Sequence, residues 1–402
     1  MTWESTAGSH PDEGDVTAEA VRQKVEKGQL GATDAVALID GVLRNLVAVS
    51  PSIAFQLLLQ KAEALRKLKN LDGAINALAS AVELGPDNEP ALSQLSALMV
   101  QAGRTAEAKQ YRDRLFELQA RRLPERLSDG LRDLWQQASD NPIDSTAVEW
   151  AWELADKATW QRAEWQVAAT WGMQSRLLLR NWAQWVPHKA DQLDALLEER
   201  DLGDLSAVAN RGGPCLIVGA HVGPSPGAAK FLRRAKLQFH LLANADLVVA
   251  HGKTYISVKP DPVATLRPLV EKLRSGGRIA IMGDSPLAWQ SYAVAFLGRQ
   301  VELPAIVPRL IQSCGAASFW CCPLWRDGRI ALEFERLPDP MQGEPRDEWS
   351  QRWFAAYLDR LERVMRGRPE NLGLFSGIWA NVSSAVLVER QKRASSGGRS
   401  RD

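Results

Sequence analysis

Five histidines hold most of the acid–base potential of this chain, and their settings differ. His10 lies in a polar N-terminal stretch, His188 follows Pro187 at a helical break, His240 alternates within an apolar run, and His251 stands beside Gly252 in loop text. Those four read as structural or solvated. His221 differs because it follows the apolar run CLIVGA (215–220) directly and enters the turn HVGPSPG. That places an imidazole at the C-terminal end of a strand, the edge where open α/β sheets bind ligands. With an ordinary pKa of about 6.5, a neutral imidazole there is suited to take a proton from an attacking group. Ser225 lies close by, but no Gly-x-Ser-x-Gly elbow surrounds it. Gly219, Gly223 and Gly227 are spaced by four, which is neither GxGxxG nor a Walker A loop. Neither HExxH nor a metal-spaced His and Cys cluster occurs, so no bound metal and no resident cofactor are expected.

The elements that must position His221 follow Gly212 and Gly213, where the apolar period changes. The runs 215–220, 238–243 (QFHLLA), 278–283 (RIAIMG), 316–323 (AASFWCCP) and 329–336 (RIALEFER) read as strands, with helical text such as 261–275 between them. The alternation predicts an α/β domain with a mixed sheet over 201–385. A basic Ser- and Gly-rich tail, 386–402, is expected to be disordered. The chain has 402 residues, enough for two or three domains. Lys plus Arg number 49 against 48 Asp plus Glu, a formal charge of +1 that removes the general argument for a nucleic-acid partner. Four cysteines (Cys215, Cys314, Cys321, Cys322) make neither a disulfide framework nor a CxxC pair, which fits a reducing compartment. No basic, apolar leader opens the chain, and the apolar runs are far shorter than the roughly 20 residues of a spanning helix.

Upstream, residues 1–18 read as a loose tail and 19–122 as all-helical, with apolar residues recurring at three and four. Leu58, Ala62, Leu65, Ala74, Ala81, Leu84 and Pro86 are followed, 34 residues on, by Leu92, Leu95, Met99, Gly103 and Ala108. This order of small and large positions resembles tetratricopeptide helix pairs, in which a small residue at Ala74 and Ala108 lets two helices approach closely. The resemblance implies a protein partner for the repeats. Residues 123–200 form a second helical region, punctuated by Pro124, Pro142 and Pro187. Eight of the 15 tryptophans fall there, at positions 135, 150, 152, 160, 165, 171, 182 and 185. They either pack between the repeats and the following domain or form an amphipathic surface at a lipid interface.

Four segments of the C-terminal half occur in an order that resembles the lysophospholipid acyltransferase superfamily, in particular its lipid A late (lauroyl and myristoyl) acyltransferases. They are GPCLIVGAHVG (213–223), LRPLVEKLRSGGRIAIMGDSP (266–286), VAFLGRQVELPAIVPRLIQSCGA (294–316) and CCPLWRDGRIALEFERLP (321–338). The resemblance covers roughly residues 145–380. It implies an acyltransferase-like fold, an acyl carrier protein or coenzyme A thioester as co-substrate and acyl donor, a lipid or glycolipid acceptor, and His221 as general base.

In that family an Asp or Glu five positions after the histidine orients the ring. Here position 226 is Pro, and no acid stands between Val222 and Pro226. In a Ser-His-Asp triad, loss of the orienting carboxylate costs about four decades in rate. Asp284, at the end of the run 278–283, is the candidate replacement, or else it caps a turn before Pro286. Backbone amides near Gly223 are candidate oxyanion donors. Phe296, Gly298, Arg299 and Glu302 match the turn that shapes substrate entry in the family, unless Gly298 simply relieves backbone strain and Arg299 with Glu302 forms an exposed pair. Ser225, beside Gly223, is a further substrate-binding candidate that could hydrogen-bond or act as a nucleophile. Lys230, Arg233 and Arg234 in KFLRRAK form a basic patch for an acidic carrier protein or anionic headgroups, or simply a solvated helix face. The family's Arg-Pro segment for an acceptor phosphate has no counterpart in 241–259. The expected activity is acyl transfer from a thioester to a hydroxyl or amine of a lipid A-like or surface-glycan lipid terminus. The expected location is the cytoplasm, peripheral to the inner face of the membrane. The alternative is a catalytically silent acyltransferase-like lipid-binding module on a protein-interaction scaffold.

Overall fold

A computed structural model describes residues 13–44, 49–198, 203–243, 255–258, 261–284, 291–374 and 377–379. His10, His251 and the expected C-terminal tail lie outside the described residues. By internal contacts the chain divides into two units, Met1–Arg122 and Leu123–Asp402. The 122/123 break coincides with the end of the predicted repeats. The expected separate connector, 123–200, instead belongs to the second unit.

The first unit is all-helical: α1 (Glu13–Glu26), α2 (Ala32–Leu43), α3 (Pro51–Lys67), α4 (Leu71–Leu84), α5 (Glu89–Gln101) and α6 (Thr105–Arg121). α1 begins inside the stretch expected to be a loose tail, because Ala18 and Val21 enter a small core with Ile39, Ala54 and Leu57. Asn70 and Asn88 cap α4 and α5 by accepting from the amides of Gly73 and Ala91, each satisfying one donor the helix start leaves open. α3 packs on α4 and α5 on α6. Ala74, Ala81, Ala91 and Ala108 are completely buried, which keeps the helices close.

The second unit opens with α7 (Leu127–Asp140), α8 (Thr146–Leu154), α9 (Arg162–Trp185), α10 (Ala190–Asp194) and α11 (Gly203–Arg211). The α/β region follows as β1 (Cys215–Gly219), α12 (Pro226–Arg234), β2 (His240–Ala243), β3 (Tyr255–Ser257), α13 (Pro262–Arg274), β4 (Arg278–Met282), β5 (Ser291–Phe296), β6 (Arg299–Pro304), α14 (Ile306–Cys314), β7 (Ala317–Arg326), β8 (Arg329–Arg336) and α15 (Arg346–Arg366). Among the described residues six strands form one mixed sheet in the order β3-β2-β4-β1-β7-β8, parallel except for the β7–β8 hairpin. β5 and β6 pair only with each other. Leu216, Val218, Ile279, Ile281, Trp320 and Cys322 alternate onto one face and join side chains of α8, α13, α14 and α15 in a single core.

Tryptophan builds much of that core. Trp349, Trp353 and Tyr357 recur every four residues along α15 and are fully buried. Their polar tips are satisfied, since Trp353 Nε1 donates to Ser318 Oγ (3.1 Å) and the Tyr357 hydroxyl to the Gly219 carbonyl (3.0 Å). The tryptophans of 123–200 pack mostly within this unit. Trp150 meets Trp379 edge-on at 5.0 Å, Trp171 leans on Trp325 at 5.0 Å, and Trp165 and Trp182 are buried. Among the described residues no helix is long and apolar enough to cross a membrane.

Replacing Ala74 with Leu forces three extra carbons into the closed helix contact, a change that costs about 1–3 kcal/mol. Amide hydrogen exchange of the full chain is expected to show protection in α3 to α6 falling by that amount.

Candidate active site

Parallel pairing builds the site. β1 and β4 are neighbours in register, with Gly219 opposite Met282, and each strand runs two residues further to a polar side chain, His221 or Asp284. His221 Nδ1 lies 2.8 Å from Asp284 Oδ1, and the His221 amide donates to Asp284 Oδ2 at 3.0 Å and to Oδ1 at 3.2 Å. The carboxylate thus fixes both the backbone and the ring of the histidine. Asp284 is 1% exposed and the His221 side chain 21% exposed, so the acid is sealed and the imidazole reaches the surface. Nε2 has no hydrogen-bond partner among the described residues. A neutral ring that donates from Nδ1 to the carboxylate leaves the Nε2 lone pair free to accept a proton.

Other side chains close around this pair. Arg176 of α9 donates from Nη1 to the His221 carbonyl at 3.1 Å. Burial pushes its guanidinium below the ordinary arginine value, and the Asp284 charge acts in the opposite sense. A buried anion needs a compensating cation nearby, and Arg176 supplies one. Tyr357, beneath Gly219, is held well above the usual phenol range by burial and then by the Asp284 charge. Residues 371–374 and 377–379 cover the site from the other side. A Cβ on Gly377, whose φ is +62°, would fall 2.0 Å from Asp284 Oδ2, and one on Gly373 would fall 1.6 Å from the His221 carbonyl oxygen. Only glycine lets this segment approach so closely.

Pro226 is the first residue of α12, where its missing N–H and fixed φ suit a helix start. The position that carries the acid in the resembled family is thus used here to begin a helix, and Asp284 meets the imidazole from the next strand.

The other predicted residues are distributed as follows. The Gly223 amide donates to the Asn371 carbonyl at 2.8 Å, so that amide is committed and does not serve as the expected oxyanion donor. Ser225 precedes α12, makes no side-chain cap and is not bonded to His221. Phe296 is buried in the core, and Leu297 and Gly298 form the left-handed turn of the β5–β6 hairpin, with φ of 50° and 74°. Arg299 stacks over Trp150 at 5.0 Å, and Glu302 accepts from the Ser291 hydroxyl at 2.9 Å. None of these four contacts His221 or Asp284 among the described residues. In the basic patch, Lys230 bonds Asp194 at 2.9 Å and Arg234 donates to the Asp194 carbonyl at 2.9 Å, leaving Arg233 exposed. Two of its three charges thus turn to α10. His240 lies in β2, its basicity lowered by burial and then by Lys272, and His188 sits in the turn Pro187–Lys189. Burial pushes the Cys215 and Cys321 thiols up to about 12 and the Cys322 thiol well above the ordinary thiol range, so none of them is a thiolate nucleophile at neutral pH.

Sequence reasoning missed Arg176, Gly373 and Gly377. Arg176 lies in helical text 45 positions before His221 and nothing local marks it. The glycines carried a faint signal: two, four apart, set among Leu372, Leu374, Ile378 and Trp379.

The chain is 28% identical over 300 residues to the Vi polysaccharide export protein VexE of Salmonella typhi. The match takes in 71% of this chain and 45% of that relative, so the chain spans less than half of the relative's length. No protein-family model matches.

Nitrogen-15 shifts of the His221 ring are expected to report the Nδ1-protonated tautomer in the neutral wild type. In Asp284→Ala the population moves toward the Nε2-protonated form; an unchanged tautomer means that Asp284 does not orient the ring.

Proposed function

We propose that this chain transfers a fatty acyl group from a thioester donor to a hydroxyl or amine of a glycolipid acceptor, with His221 as general base and Asp284 as its orienting partner. The observation that carries the reading is the 2.8 Å contact from His221 Nδ1 to a carboxylate that is 1% exposed. It supplies from β4 the acid that position 226 lacks. In the step, Nε2 takes the acceptor's proton as its oxygen or nitrogen attacks the thioester carbonyl. The carbon–sulfur bond then breaks, and the thiolate leaves with that proton from the imidazolium. Asp284 stabilises the transient imidazolium, and Arg176 limits the excess negative charge around the pair at rest.

The ordered resemblance to lipid A acyltransferases supports the reaction class. The relative named for polysaccharide export supports a surface-glycan lipid terminus as the acceptor, with the helical first unit as the site of a protein partner. On this reading the enzyme works at the inner face of the cytoplasmic membrane.

The test is thiol release from a panel of acyl carrier protein and acyl coenzyme A thioesters, with membrane extract as a source of acceptor. His221→Ala is expected to lower release by about 10²- to 10⁴-fold and Asp284→Asn by a similar order. If wild type releases no more thiol than His221→Ala, catalysis is excluded and a silent lipid-binding module takes its place.

A further inference from the structure

Outside the dyad, the second unit carries an open cleft of about 670 Å³ beside the C-terminal end of β7. Three indoles form its floor and wall. Trp325 packs against Trp171 at 5.0 Å, and Trp171 meets Trp135 edge-on at 5.8 Å. The two inner rings are fixed by their N–H groups: Trp325 Nε1 donates to Ser175 Oγ at 3.1 Å and Trp171 Nε1 to the Leu131 carbonyl at 2.9 Å. The outer ring is different. Trp135 is 46% exposed, and its indole N–H has no partner among the described residues. Around it, Arg132, Asp133 and Gln136 of the same α7 helix form a polar, exposed rim. A rigid aromatic wall with an unpaired donor and ionic and amide groups at its edge suits a ligand that is apolar on one face and rich in hydroxyls at its perimeter. A pyranose ring has that character, whereas an alkyl chain would leave the rim unused and much of its own surface in water.

The cleft is also tied to the catalytic turn. β1 and β7 are parallel neighbours, so Trp325 and His221 lie at the same edge of the sheet. Asn371 bonds both the amide (2.7 Å) and the carbonyl (3.1 Å) of Trp325, and its own carbonyl accepts the Gly223 amide. One residue, through its side chain on Trp325 and its backbone carbonyl on Gly223, therefore holds the cleft wall and the turn after His221 in a fixed relation.

We infer that the Trp135–Trp171–Trp325 cleft is a saccharide-binding site that holds the glycan part of the acceptor while its lipid terminus is acylated at His221. The inference rests on the acyltransferase reading for the role of the glycan, but the binding itself is separable from it. The experiment is calorimetric titration of the full chain, without any thioester, with a neutral oligosaccharide (chitotetraose), an acidic one (tetragalacturonate) and laurate. At least one oligosaccharide is expected to bind wild type. Trp135→Ala should weaken that binding by about tenfold, the scale of one aromatic stacking contact, while Trp135→Phe keeps most of it. Because nearly half of Trp135 is exposed and it lies at the outer end of the row of indoles, the Ala variant is expected to fold, with a melting temperature close to that of wild type, and binding is compared on that folded protein. Absence of oligosaccharide binding, binding indifferent to Trp135→Ala, or Trp135-dependent binding of laurate alone overturns the inference. Each of these results is independent of thiol release: His221-dependent release without saccharide binding removes the cleft and leaves the transferase, and saccharide binding without release does the reverse.

Discussion

The parallel hydrogen-bonded pairing of β1 with β4 is the constraint on which the rest of the site depends. Opposite Gly219 stands Met282, and from that rung each strand continues by the same two residues, one to His221 and the other to Asp284. A slip of one residue would turn one of the two side chains to the other face. The ladder thus sets the 2.8 Å contact, and the remaining groups protect it. Arg176 offsets the buried charge, Tyr357 closes the floor through the Gly219 carbonyl, and glycines 373 and 377 bring a covering segment to the van der Waals limit.

The tryptophans explain how so short a sheet is held rigidly enough for this. Trp349, Trp353 and Trp320 fill the face on which β1 and β4 present Leu216, Val218, Ile279 and Ile281. Each of those indoles also has its N–H bonded. Trp150 couples the hairpin to the covering segment, since Arg299 stacks on one side of it and Trp379 packs edge-on at 5.0 Å. Rings of this size are worth several kcal/mol each when buried, and sharing them between α8, α9, α15 and the sheet makes 123–200 part of the α/β unit.

Much of this was legible in the sequence where local pattern decides the structure. The runs 215–220, 278–283 and 329–336 became β1, β4 and β8 because uninterrupted or alternating apolar residues between turn signals leave few options. The change from a 3.6 to a 2.0 period at Gly212 located the start of the sheet. The helix pairs around Ala74 and Ala108 were equally readable. What the sequence hid was long-range. Asp284 was identifiable as a strand-end carboxylate, but a contact with a residue 63 positions away depends on strand order, which no local pattern encodes. β3 and the β5–β6 pairing were missed, β3 because 255–257 is only three residues long. The basic patch looked like a binding surface because Asp194, 36 residues earlier, carries no sign in the sequence that it will meet Lys230. The Gly223 amide looked free for the same reason, as its partner Asn371 lies 148 positions on.

The central claim is that His221 and Asp284 act as one unit, and a double-mutant cycle on initial thiol release addresses it most directly. Groups that act as a unit are strongly non-additive. The double variant His221→Ala/Asp284→Ala is expected to be no slower than His221→Ala alone, because an acid with no ring to orient contributes nothing further. If the two losses multiply instead, Asp284 acts independently of the imidazole and the account of the site is wrong.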